Sequence, residues 1–119
     1  MIVDAFLTAI RNVIYGDTIT MPSHICIGTG TTAATASDTT LETEVDRNTI
    51  SSRSKPATKK VRLQATIGAN ENNGVALTEF GAINAVSGGT LTNRVVHTAI
   101  NKTSVFELKY QVTIKMSDL

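Results

Sequence analysis

The most constraining stretch of this chain is its last run, SVFELKYQVTIKM. Phe106, Leu108, Tyr110, Val112, Ile114 and Met116 alternate with Glu107, Lys109, Gln111, Thr113 and Lys115. Side chains of an extended strand point to opposite faces with period two, so this run requires one buried face and one wet face. Such a strand cannot cover its own apolar side. It needs a sheet to join and a second layer to pack against, and a mainly β fold is predicted on that basis.

The other end of the chain has a different period. Across residues 2–15, Val3, Phe6, Ile10 and Val13 recur at steps of three and four, with Leu7 and Ile14 widening the stripe. That spacing marks an amphipathic helix, and Gly16 directly after it suits a left-handed cap. A helix this short is marginal alone in water. Its stripe must dock, either on the chain's own sheet or on the same helix of a neighbouring copy, where it would seam an oligomer such as a trimer.

Beyond Gly16 the texture becomes Thr-rich, with Asn and Gly punctuating short apolar runs, which is the texture of antiparallel strands. SHICIG reads as a strand between Pro22 and Gly28, and TGTTAATASDTT as a surface loop. SDTTLETEV suits a short helical turn capped by Ser37 or Asp38, and RNTISS a strand. SRSKPATKK, basic and interrupted by Pro56, reads as a solvated loop. KVRLQATIG alternates as a strand, Asn73-Gly74 signals a hairpin turn, and VALTEFGAINA and LTNRVVHTAI follow as strands. Short connections after residue 60 predict a meander. The expected architecture is a single domain: an N-terminal helix over 1–16, then an antiparallel β-sandwich of six or seven strands over 17–119.

Several chemistries find little footing. The chain has 119 residues, a net charge of +1 and 4% aromatics. That balance argues against nucleic-acid or membrane-surface binding through bulk charge, and the apolar N-terminus is too short to span a bilayer. A single cysteine, Cys26, excludes an internal disulfide and a zinc framework; in its apolar run it reads as a buried small hydrophobe. Gly28-Thr29-Gly30 after a strand resembles the start of a phosphate loop, but position 33 is Ala33 and no Lys follows. His24 and Cys26 share a strand face with no nearby cation in sequence to activate the thiol, and His97 lies far along the chain. The acids Glu42, Glu44 and Asp46 read as a solvated face. Asn101-Lys102-Thr103 matches a glycosylation sequon, which matters only in a secreted eukaryotic context. No metal, no cofactor and no enzymatic activity are expected.

One residue breaks the pattern. In VALTEFGAI, strict alternation puts Glu79 on the face of Val75, Leu77 and Ile83. A carboxylate on an apolar face is costly unless it is paired. Arg47 and Arg94 are the natural partners, within the chain or across a subunit interface, because a guanidinium matches a carboxylate geometrically. The alternative is a bulge near Gly81 that turns Glu79 to solvent.

Taken together, these segments resemble a family of small virion proteins of tailed phages and related archaeal viruses. The similarity lies in the N-terminal helix, the Ile-Gly-Thr-Gly turn (Gly28, Gly30), Leu41 with Glu44 and Arg47, Thr-Glu-x-Gly (Glu79, Gly81), the pair Gly88-Gly89, and Arg94. The resemblance implies a virion structural component, assembled in a host cytoplasm: a tail-associated or fibre-attachment protein, with a capsid-surface decoration protein as the alternative. It implies self-association and neighbouring virion proteins as partners, and suits the symmetric packing usual for such parts. A receptor- or glycan-binding module is a further reading; Phe6, Ile10 and Val13 on the helix stripe are the candidate contacts for self-association.

Overall fold

The computed structural model describes all residues 1–119. One helix, α1 (Asp4–Tyr15), precedes seven strands: β1 (His24–Gly28), β2 (Glu44–Thr49), β3 (Ser52–Ala57), β4 (Lys60–Ile67), β5 (Ala76–Ile83), β6 (Val95–Asn101) and β7 (Leu108–Lys115), with a 3-10 turn at Met116–Asp118. Every pairing is antiparallel. The strands form two packed sheets, β2-β1-β5-β6 and β3-β4-β7. Ile25, Ile27, Leu77 and Ile83 of the first sheet share one buried core with Leu63, Ile67, Val112 and Ile114 of the second. This is the mainly β, helix-plus-sandwich architecture that the two periodicities predict.

In β7 the buried residues are Tyr110, Val112 and Ile114, with exposed Lys109, Gln111, Thr113 and Lys115 between them. The helix begins without a side-chain cap. Its first amides are satisfied by tertiary backbone instead, Val3 donating to Thr92 O and Asp4 to Ala36 O. Gly16 closes it at φ 119°, its N–H reaching Asn12 and Val13 carbonyls, as a left-handed cap does.

The apolar stripe is used for only half its length. Val3 and Phe6 are buried and Ile10 is half-buried, but Val13 is 40% and Ile14 82% exposed. The helix docks by its first two turns, and its last turn meets no part of this chain's core.

Four local expectations are corrected. SDTTLETEV contains no helix, because the Asp38 carboxylate accepts from Thr35 N–H and Oγ1 and holds a turn instead. SRSKPA is a strand, β3, because pairing with β4 overrides its weak local propensity. It is an edge strand carrying Arg53, Lys55 and Pro56, residues that discourage further edge pairing. Asn73-Gly74 lies not in a hairpin but on the crossover from β4 to β5, which belong to different sheets. The meander fails for the same reason: β4 pairs with β7 across 40 residues of intervening chain. β2 and β3 are joined by only Ile50 and Ser51, so one nearly continuous extended run passes from the first sheet to the second.

Candidate functional site, a buried carboxylate beneath the Gly28–Gly30 turn

β5 carries Glu79 into the interior at 0% exposure, opposite Gly28 of β1. Both carboxylate oxygens are doubly satisfied. Oε2 accepts from Gly30 N–H at 2.7 Å and Thr43 N–H at 2.8 Å. Oε1 accepts from Glu42 N–H at 2.9 Å and Arg94 Nε at 2.8 Å. Burial pushes the Glu79 carboxyl up, but the Arg94 hydrogen bond and the three backbone amides outweigh it and hold the group below the usual carboxylate range.

Arg94 completes the cluster. Its Nη1 reaches Asp38 Oδ2 at 3.1 Å and its Nη2 donates to Thr32 O at 2.8 Å. Asp38 is held low, first by the Thr35 amide and in part by Arg94. Glu42, exposed, accepts from Thr31 and Thr32 N–H and is held low, first by the Thr32 side chain and then by those amides. Thr78 Oγ1 donates to Gly30 O at 2.7 Å. Residues 29–43 have no regular structure, a length at which loops in compact domains become uncommon. Glu79 and Arg94 pin this long connection to the sheet from beneath.

The glycines follow from the carboxylate. A Cβ at Gly30 would strike Glu79 Oε2, and one at Gly28 would meet Thr43 O and the same carboxylate. A Cβ at Gly81 would run into Asn93 O, where β5 and the residues before β6 approach closely. The Gly28-Thr29-Gly30 turn therefore does cradle an anion, through Gly30 N–H, but the anion is the protein's own Glu79.

Arg47 is the candidate partner the structure sends elsewhere. It forks onto Glu44, Nε to Oε2 at 2.6 Å and Nη2 to Oε1 at 3.1 Å. Its Nη1 donates to Ala85 O and Gly88 O at 2.8 and 2.7 Å, tying β2 to the turn in which Gly88 and Gly89 take φ of 63° and 85°. Leu41 is buried beside the cluster. Of the sequence candidates, Glu79 and Arg94 come together directly. Arg47 braces a neighbouring turn, and Phe6, Ile10 and Val13 lie on the helix, away from both.

The remaining chemical candidates are dispersed. Cys26 Sγ donates to Gly81 O at 3.2 Å, and burial pushes its thiol up to about 12, with Glu44 adding to the effect. His24 Nδ1 bonds Ser23 Oγ. His97 Nε2 meets the Tyr110 hydroxyl at 2.9 Å beside the Phe80 ring. No group of three or more His, Cys, Asp or Glu side chains is placed to hold a metal ion, and no helix is long and apolar enough to cross a membrane.

Sequence reasoning missed Lys102, which is 0% exposed. Its ammonium donates to Asn73 Oδ1 at 3.0 Å, Thr103 O at 2.9 Å and Ala69 O at 3.4 Å, and lies 5.4 Å from the centre of the Phe106 ring. No local pattern marks it, because two of its three acceptors, Ala69 O and Asn73 Oδ1, come from a turn about thirty residues earlier.

No family model, curated protein sequence or solved structure matches this chain.

Proposed function

We propose that this protein is a structural component of a tailed-virus virion, a tail-associated or fibre-attachment part that works as a homo-oligomer. The observation that carries the reading is where the spaced sequence pattern converges. Gly28, Gly30 and Arg94 close around the saturated Glu79 carboxylate, with Leu41 buried nearby, and Glu44, Arg47 and Gly88 form the brace beside it. Each polar group in that cluster is bonded to another part of the same chain, which suits a pin that fixes the 29–43 connection. The uncovered last turn of α1 supports self-association, since Val13, Ile14 and Tyr15 stand in solvent at 40%, 82% and 85% exposure.

Gold-labelled antibodies against the purified protein, applied to virus particles whose genome encodes it, test this reading. Label on the tail or its fibre attachment is the expected result. Label on the capsid shell would move the protein to a decoration role, and particles that lack the protein altogether would overturn the proposal.

A further inference from the structure

The charges of this chain are sorted by segment. Residues 1–50 carry Asp4, Asp17, Asp38, Glu42, Glu44 and Asp46 against Arg11 and Arg47, a net of −4. Residues 51–67 carry Arg53, Lys55, Lys59, Lys60 and Arg62 with no acid, a net of +5. The fold then holds the acids of residues 38–46 away from the basic segment, while the stretch from Ile10 to Met21 lies beside it. Glu44 begins β2 opposite Gly28, while Ala57 ends β3 opposite Lys60, at the two ends of the run that crosses between sheets. At about 3.3 Å per extended residue, that run is commensurate with the 46 Å long dimension of the molecule.

The basic end is built at a cost. Lys60 sits directly opposite Lys115, and like charges facing each other across strands are destabilising. All three ion pairs of the protein lie in the Glu79 and Arg47 clusters, so none of these cations is ion-paired within the chain, although Asp118 lies in the turn beside them. Beside them runs an apolar groove of about 290 Å³ lined by Ile10, Met21, Val61, Ile114, Met116 and Leu119. Met21, Met116 and Leu119 are 50%, 44% and 43% exposed. A partner for this end needs negative charge around an apolar contact. The opposite end of the same chain supplies acid outside any ion pair at Glu42 and Asp46, Glu44 being taken by Arg47, and exposes Val45 at 41% on the other face of β2.

We propose that the β3–β4 tip and its groove receive the β2 end of a second copy, so that copies associate head to tail. This rests on the homo-oligomer reading above and specifies its interface. A two-fold contact through the groove would set cationic rim against cationic rim, and like-charge juxtaposition opposes it. A head-to-tail contact is heterologous and builds a ring, or a filament if the rotation does not close.

Sedimentation velocity of the full chain tests the interface. The wild type is expected to assemble at about 0.05 M salt and to fall back toward monomer at about 0.5 M, where screening is strong. Lys59→Glu/Lys60→Glu should be monomeric yet at least as stable to heat as wild type, since it relieves the Lys60–Lys115 repulsion. Glu42→Gln/Asp46→Asn should also be monomeric. Each variant keeps one working end, so their mixture should form one-to-one dimers and nothing larger.

Assembly that persists unchanged in Lys59→Glu/Lys60→Glu overturns this interface and leaves the homo-oligomer reading standing. A wild type that is monomeric at every concentration and salt defeats both. A mixture without dimers overturns the head-to-tail geometry. Wild type that remains monomeric alone but binds a mixed-sequence duplex DNA in a Lys59- and Lys60-dependent way assigns the tip to nucleic acid instead.

Discussion

Replacing Glu79 with Gln preserves shape and removes one charge. The wild-type carboxylate accepts four hydrogen bonds, two on each oxygen. A glutamine amide presents an oxygen on one side and an N–H₂ on the other. Whichever way it turns, one pair of donors, Gly30 and Thr43 or Glu42 and Arg94, faces another donor. Arg94, 2% exposed, keeps only Asp38 as a charged partner. Breaking a buried pair by removing one member costs about 3–5 kcal/mol, against a total stability of about 5–15 kcal/mol for a domain. At roughly 4 °C per kcal/mol for this size, the melting temperature should fall by about 12–20 °C.

Urea unfolding at neutral pH measures the loss, and repeating it down a pH series checks its origin. Glu79 is held below its unfolded value near 4.3. Its contribution is therefore complete above that value and lost as pH falls through the lower folded pKa. The difference between wild type and Glu79→Gln should shrink on acidification. In double-mutant cycles, Glu79→Gln with Arg94→Met should show a coupling above about 1 kcal/mol, while Glu79→Gln with Arg47→Met should be close to additive. A Glu79→Gln protein within about 0.5 kcal/mol of wild type at neutral pH, the range of an ordinary surface change, would refute the pinning argument.

The other expectations are simpler. Gly81→Ala should destabilise more than an average substitution, by upwards of about 3 kcal/mol, because its Cβ meets the Asn93 backbone carbonyl and not a movable side chain; thermal melts decide it. Cys26 should resist iodoacetamide in the native protein at pH 8 and react at once in urea, since a buried thiol pushed up to about 12 offers almost no thiolate; rapid native labelling would contradict the burial. Lys102→Met should cost about 1–3 kcal/mol in urea unfolding, because three acceptors lose their donor. A neutral result there would mean those carbonyls find water.

Legibility in the sequence followed the range of the interaction. β7 was readable at its centre because alternation over Tyr110, Val112 and Ile114 is a local record of burial on one face, but the alternating run is longer than the strand: Phe106 precedes it and Met116, 44% exposed, begins the turn after it. α1 and its Gly16 cap were readable for the same reason, though not how far along the stripe docking extends. β3 was illegible: six exposed residues with two cations and a proline become a strand only because β4 is there to pair with. The turn at Asn73-Gly74 was recognisable as a turn, but not as a crossover between layers.

The candidate site divides along the same line. By itself, the sequence determined that Glu79 occupies an apolar strand face and that a buried carboxylate there must find compensating donors, since desolvation forbids leaving it bare. Only the tertiary structure decided that Arg94 and not Arg47 answers it, that amides of Gly30, Glu42 and Thr43 supply the rest, and that Gly28 and Gly30 are small to make room. Periodicity is written in neighbours a few residues apart, whereas the choice among distant partners is made by which strands the packed core brings side by side.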